Sequence, residues 1–312
     1  MALYDYTGAA LDVSGSPVVN VKDFGAKGNG SSDDAAAIQA AIDSVQTLGG
    51  LVYFPSGIYI IKTQIFFYSC QVLFFEKGAT LKQGAAINNL LMTYCAADTT
   101  EYNGTHDAII YGATFDGGAF TTNNTLVGTV HAKNIIFENC TIKNAYGIWH
   151  NMEINSSYNV KVVNCDFEGS RKTGANGELL QIDALNGEST WPWANRGSID
   201  GTVSQYIEIC GCFFHDNPIA PAIGNHSGVG NKFIRIHDCI FDTNTSTRGA
   251  INLDNSKDVT IYDNTFTDCT TGVASYESTH WIYNNIFKGV TTATAGSSSV
   301  VHDNFINGTY TA

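Results

Sequence analysis

The sequence predicts an all-β protein: a single-stranded right-handed parallel β-helix with a capping α-helix near its N-terminus. Three observations carry that reading. Seven short segments of the second half superimpose, their spacing falls mostly in the twenties, and only 14% of residues are charged, against roughly 25% in an ordinary globular domain. The segments are IIFENCTIKN (135–144), VKVVNCDFEG (160–169), IEICGCFFHD (207–216), IRIHDCIFDT (234–243), VTIYDNTFTD (259–268), WIYNNIFKG (281–289) and VVHDNFING (300–308). Each alternates apolar residues, turns at a polar corner, places Cys or Asn next, and returns to an apolar residue two positions later. The Cys-or-Asn column is Cys140, Cys165, Cys212, Cys239, Asn264, Asn285 and Asn304, with gaps by subtraction of 25, 47, 27, 25, 21 and 19 residues. Helical repeats usually run to about 33 residues or more, so shorter periods with two-residue alternation read as stacked β-coils.

The elements follow in chain order. Residues 1–17 read as an N-terminal arm and 18–312 as one β-helix domain, with 18–60 as its cap and first coil. The stretch from Val18 opens with a strand and a Gly-rich loop. Asp33 or Asp34 can then cap a helix whose apolar face is Ile38, Ala41, Ile42 and Val45, ended by Gly49 and Gly50. Such a helix would cover the open end of the solenoid, whose first coil otherwise exposes its interior. The Gly-rich string lacks the Gly-Lys-Ser/Thr ending of a phosphate-binding loop and reads as a turn. The strand LVYF follows, then Pro55-Ser56-Gly57 as a turn. The 47-residue gap reads as one coil with a long loop at 186–204, which has turn chemistry but no alternation. Towards Asn304 the coils shorten and no C-terminal cap follows; an uncovered solenoid end invites pairing with another chain.

The formal net charge of −13 argues against nucleic acid and anionic membranes as partners, because phosphate neutralisation needs Lys and Arg. A neutral glycan, or an acidic one at a basic or calcium-bridged site, fits better. Ca2+ is thus the one cofactor left open. The N-terminus shows neither a basic n-region nor an apolar h-region, and no run approaches the roughly 18 apolar residues of a membrane span. The ladder also accounts for Cys140, Cys165, Cys212 and Cys239 as small buried side chains, with disulfides between some of them as the alternative. The Cys210-Gly-Cys212 pair has the wrong spacing for a zinc knuckle.

The stretch DFGAKGNGSSDDAAAIQAAI, continued by GGLVYFPSGIYII, resembles the N-terminal signature of the pectate-lyase-like superfamily. That group of parallel β-helices includes polygalacturonase-type glycoside hydrolases and phage tailspike depolymerases. With the coils, the resemblance covers nearly the whole chain from Val18. It implies the fold and leaves the reaction open, since the superfamily hosts hydrolases, lyases, epimerases and binders. A narrower resemblance lies in HNMEINSS (150–157), GELLQIDAL (177–185) and AIGNHSG (222–228). These are similar to an H-x-x-E, E-x-x-Q-x-D and G-x-H-S set in bacterial and phage proteins related to polygalacturonases. The Asn-Thr-Asp, Asp-Asp, Gly-His-Gly and Arg-Ile-Lys motifs of polygalacturonases proper are matched only loosely, at Gly224-Asn225-His226, so their mechanism is not carried over. The opening ALYDYTG is similar to the start of many phage tail proteins. This implies a virion-associated or extracellular protein without a visible signal peptide, and the tailspike resemblance implies a homotrimer.

Aligning the strand before each Cys/Asn strand gives the candidate site. The segments are MEIN (152–155), QID (181–183), GNH (224–226), INLD (251–254) and SYE (275–277). With Ile154, Ile182, Leu253 and Tyr276 inward, the outward column is Asn155, Asp183, His226, Asp254 and Glu277. The outward column two residues earlier is Glu153, Gln181, Gly224, Asn252 and Ser275. This predicts an exposed stripe of carboxylates, amides and one imidazole along one flank. Glycosidases use two carboxyl groups about 5–5.5 Å apart for retention or 6.5–9.5 Å for inversion, and crowded acids raise one another's pKa. The candidate catalytic residues are Glu153, Glu178, Asp183, His226 and Asp254. For any one acid taken alone, a solvated turn surface is the commoner explanation. Glu178 has the opposite parity to Asp183 and is expected at a bend. Candidate substrate contacts are Gln181, His150, Asn252, Glu277 and Arg196, with Trp191 and Trp193 for sugar stacking. Those tryptophans could equally pack the loop onto the rod, and His150 could be a turn residue against Trp149.

The leading expectation is a glycoside hydrolase acting on a cell-surface or capsular polysaccharide, such as a phage tail depolymerase. A polysaccharide lyase comes second, because the flank is poor in the Lys and Arg that a lyase uses. A non-catalytic glycan-binding receptor protein is the alternative from a different class.

Overall fold

The computed structural model describes residues 15–186, 196–217, 219–225, 230–276, 279–296 and 299–310. The chain winds as a right-handed parallel β-helix through three long sheets of 11, 12 and 9 strands. One coil shows the plan: Lys133–Glu138 lies in the first sheet, Thr141–Lys143 in the second and Met152–Asn155 in the third. Strand order within each sheet follows chain order. The pairing is parallel up to Phe305–Ile306, which pairs antiparallel with Thr309–Tyr310. Val163 pairs with Cys210 and Phe167 with Phe214. The strands flanking the 47-residue gap are therefore adjacent, and a single coil separates them.

The register turns sequence periodicity into ladders. In the first sheet Ile135, Val160, Ile207, Ile234 and Val259 face inward in line. In the second, Phe167, Phe214, Phe241, Phe266 and Phe287 stack with centroids 4.7, 5.0, 4.8 and 4.7 Å apart. That spacing is the inter-strand distance of a sheet, so each ring sits on the ring one coil below.

The corner between the first and second sheets explains the Cys/Asn column. The residue before it takes a left-handed conformation on every coil of the series: Asn139, Asn164, Gly211, Asp238, Asp263, Asn284 and Asp303. Asn, Asp and Gly tolerate that region best, which is why the corner reads as polar in the sequence. The next residue turns inward. Cys140, Cys165, Cys212 and Cys239 are buried, and all eight cysteines are free thiols. From Asn264 onward the amides bond along the rod. Asn264 N donates to Asn285 Oδ1 at 3.0 Å and Asn285 N to Asn304 Oδ1 at 2.9 Å.

Near the N-terminus the helix Ala35–Ser44 buries Ala35, Ile38, Ala41 and Ile42. Asp33 Oδ1 accepts from Ala35 N, whereas Asp34 turns back to accept from Lys27 N and Gly28 N and so fixes the Gly-rich loop. Gln39 exchanges hydrogen bonds with the backbone of Phe66. The helix thus lies against Ile65–Phe67, the first strand of the third sheet, and closes the end of the core there.

Candidate functional site

The candidate residues come from the third sheet, where coils pair as Gly128↔Glu153↔Gln181↔Gly224↔Asn252. Two residues further on, Val130, Asn155 and Asp183 are in line. Inward-facing Ile154 and Ile182 anchor these strands in the core. Glu153 and Asp183 are therefore diagonal neighbours on adjacent coils, with Cα atoms about 8 Å apart from strand spacing and rise.

The stripe is buried rather than exposed. Glu153, Glu178 and Gln181 have no solvent-accessible surface, and Asp183 and Asn252 retain 3% and 2%. Three carboxyl groups out of water require compensation, and the surroundings supply it. Asn155 Nδ2 donates to Glu153 Oε1 at 2.9 Å, while Glu153 Oε2 has no hydrogen-bond partner among the described residues. Burial, then the neighbouring Asp183 charge, holds the Glu153 carboxyl well above the usual carboxylate range; the Asn155 hydrogen bond opposes this and Glu178 adds to it. Asp183 accepts from Gln181 Nε2 and from Ala184 N, both at 2.9 Å.

Glu178 lies just before the strand Leu180–Asp183, and its side chain reaches over the next coil at Gly224. A Cβ added to Gly224 would stand 2.7 Å from Glu178 Cγ. The missing side chain at Gly224 is what makes room for this carboxyl. Arg248 Nη1 donates to Glu178 Oε1 at 3.0 Å and Arg248 Nη2 to Asn252 Oδ1 at 3.2 Å. His150 Nδ1 lies 3.5 Å from Glu178 Oε2. Lys172 Nζ donates to Trp149 O at 2.5 Å; burial lowers its pKa to about 7, against the pull of Glu178. Glu178 thus lies beside Arg248 and within the influence of Lys172, while Glu153 and Asp183 interact with one another.

Arg248 and Lys172 were not among the sequence candidates. Both come from turns, Arg248 from the run before Ile251–Asn252 and Lys172 from the loop after Asp166–Glu168. The sparse Lys and Arg of the chain, 16 in all, were the available signal.

The other candidates are more scattered. Asp254 is half-buried and accepts from Tyr276 N at 3.2 Å. Arg196 forms an isolated bridge with Cys95 and stands outside the columns. The last register differs from the sequence alignment: Asn252 pairs with Ala274, so Ala274 rather than Ser275 continues the column. Val273 pairs with Ile251, and the same one-residue shift leaves Tyr276, which the alignment turned inward, half exposed, while Ser275 is buried. The coil is one residue out of step with the alignment because a small-residue strand, Thr271–Ala274, precedes the more conspicuous Tyr-Glu pair. His226, Glu277, Trp191 and Trp193 lie outside the described residues. Among the described residues one group of thiol, imidazole and carboxylate atoms lies within 4.8 Å, at Cys70, His106 and Asp107.

Three parallel sheets wound around one core place the chain in the parallel β-helix class of solenoid proteins. Within it, the chain belongs to the rhamnogalacturonase A/epimerase, pectate lyase-like family, whose sequence pattern it matches over residues 18–298. The plasmin and fibronectin-binding protein A of Streptococcus pneumoniae is 31% identical over 241 residues, 67% of this chain and 33% of that protein. This chain therefore spans about a third of that relative. The crystal structure of PfbA, a surface adhesin of the same species, superposes with a TM-score of 0.73 at 24% identity, covering 92% of this chain and 77% of that one. A hyperthermoactive exopolygalacturonase from Thermotoga maritima superposes at 0.61 and 14% identity, over 93% and 76%. The Dettilon tailspike protein gives 0.63 and 13%, over 92% and 62%.

Proposed function

We propose that the chain is a polysaccharide-degrading enzyme, a glycoside hydrolase, with its chemistry at Glu153, Asp183 and Glu178. The observation that carries this reading is the burial of these three carboxyl groups together. A rod needs no such cluster to fold, and uncompensated buried charge is destabilising. A carboxyl with a raised pKa beside further buried acids is the arrangement that acid–base catalysis requires.

In this reading Glu153, whose pKa burial and the neighbouring Asp183 raise, is the general acid at the glycosidic oxygen. Asp183, both of whose oxygens accept hydrogen bonds, is the carboxylate on the other side. The register sets the two acids diagonally on adjacent coils, and the distance between their carboxyl groups decides between retention, at about 5–5.5 Å, and inversion, at about 6.5–9.5 Å. Glu178, held by Arg248 and His150, fixes the charge balance around the pair. A lyase reading has Lys172, with its pKa near 7, as a base. The family relatives named above, a polygalacturonase among them, support a glycan substrate, and the tailspike and surface adhesin support a virion or cell-surface location.

The second reading, a non-catalytic binder, is favoured by two observations: the carboxyl groups present almost no surface, and a relative that matches 67% of this chain is a plasmin and fibronectin-binding protein. Incubation with polygalacturonan, rhamnogalacturonan, alginate and bacterial capsular polysaccharides tests both. A hydrolase releases reducing ends without absorbance near 235 nm, and a lyase adds that absorbance. Absence of any cleavage across the panel, with binding retained, overturns the enzyme reading.

A further inference from the structure

A second surface, on a different sheet from the acids, carries its own chemistry. On the outer face of the first sheet a groove of about 450 Å³ runs across the coils between Asn159 and Trp281. Tyr206, Phe233 and Trp281 line it with 45%, 39% and 38% of their surface exposed. Rings line up along the rod. Tyr102, Tyr158, Tyr206 and Phe233 follow one another at centroid distances of 5.3, 4.9 and 4.7 Å.

The backbone shows that these rings are held there against local preference. Asp107, Asn134, Asn159, Tyr206, Phe233 and Asp258 occupy one equivalent step on successive coils, all with φ between 53° and 56°. Four coils use Asn or Asp, which accept the left-handed region. Tyr206 and Phe233 put bulky residues in it, where they are outliers. Their stacking holds them in a row and leaves their outer faces open to solvent.

The charges around the rings sum to neutrality. Lys161 pairs with Glu208 at 3.3 Å. Arg235 and Asp258 are exposed, and neither side chain makes an ion pair or hydrogen bond among the described residues. A guanidinium and a carboxylate free to take vicinal hydroxyls, beside rings that take the apolar face of a pyranose, fit a sugar chain.

We infer that this groove binds a neutral oligosaccharide running along the rod, at a site separate from the buried acids. The inference stands whether or not those acids cleave a glycan. The test is calorimetric titration with cellohexaose, mannohexaose and chitohexaose, with trigalacturonate as the acidic counterpart and tryptophan fluorescence, compared between wild type and Trp281→Phe, as a second readout. At least one neutral hexasaccharide should bind saturably and change the emission of the wild type more than that of Trp281→Phe. The double variant Tyr206→Asn, Phe233→Asn carries the residue that neighbouring coils use, so its Tm should stay level or rise while affinity falls tenfold or more. Glu153→Gln should leave this binding unchanged, which separates the groove from the acid cluster. Binding of trigalacturonate alone, no saturable heat with any neutral hexasaccharide, or full affinity in the double variant overturns the inference.

Discussion

Replacing Asn285 by Ala tests how much the amide ladder contributes to the rod. Asn285 has no solvent-accessible surface. Its Oδ1 accepts from Asn264 N and Asn264 Nδ2, both at 3.0 Å. Its Nδ2 donates to Ile261 O, Tyr283 O and Asn304 Oδ1 at 3.0, 2.9 and 3.0 Å. Truncation leaves the Asn264 N–H and the Ile261 carbonyl buried without these partners. At about 1–3 kcal/mol for each of the two orphaned groups, the expected loss is about 2–6 kcal/mol. Asn285→Cys should cost less than half of that, because Cys fills the same column on earlier coils, where Cys212 Sγ accepts from Cys165 N at 3.4 Å and donates to Val162 O at 3.5 Å. Urea unfolding measures the difference, and native-state hydrogen exchange shows whether it is confined to coils near Asn285, as nearest-neighbour coupling in a solenoid requires. A loss under 1 kcal/mol in Asn285→Ala, or equal losses in both variants, would refute the ladder as a source of stability.

Three further outcomes follow from the same geometry. His280 pairs in register with Val259 inside the core, and burial lowers its pKa to about 4 from 6.5, with a hydrogen bond to the Leu253 backbone opposing. The unfolded chain takes up the proton first, so this stability is complete above pH 6.5 and is lost as pH falls towards 4, by about 3 kcal/mol in total; His280→Val should flatten that part of the pH–stability curve. Glu153→Gln and Asp183→Asn should each reduce cleavage at least 100-fold with Tm within a few degrees of wild type, and an unchanged rate in either removes that residue from the mechanism. Gly224→Ala should cost about 1–3 kcal/mol by pushing Glu178 off its place beside Arg248, read as a lower Tm together with reduced activity.

The ladders were legible because each rests on one residue type recurring once per coil. The corner Asn and Asp before the Cys/Asn column, the inward Ile and Val, and the stacked Phe all repeat in register. The candidate columns were legible for the same reason from Glu153 to Asn252. They were lost at Ala274, where small residues carry no alternation to align. Burial of the stripe was not legible, because the side chains around it come from turns. Arg248 and Lys172 lie in segments with no period, and Glu178 reaches its place only because Gly224, one coil on, lacks a side chain. Tyr206 and Phe233 could be seen as aromatics, but their left-handed backbone became visible only once the first-sheet register was known.

The change from sulfur to amide along the inner corner has a mechanical consequence. Beyond Cys239 each coil is tied to the next by side-chain hydrogen bonds that run parallel to the rod axis. On the earlier coils the same position holds thiols, whose axial links are longer: Cys165 N to Cys212 Sγ at 3.4 Å, Cys212 Sγ to Val162 O at 3.5 Å, and the Cys140, Cys165 and Cys239 thiols to carbonyls one coil back at 3.7 Å. The amide half therefore has shorter and stronger tension members than the thiol half. Under a pull along its length, the rod would yield first among the thiol coils, the stretch that also holds Glu153 and Asp183.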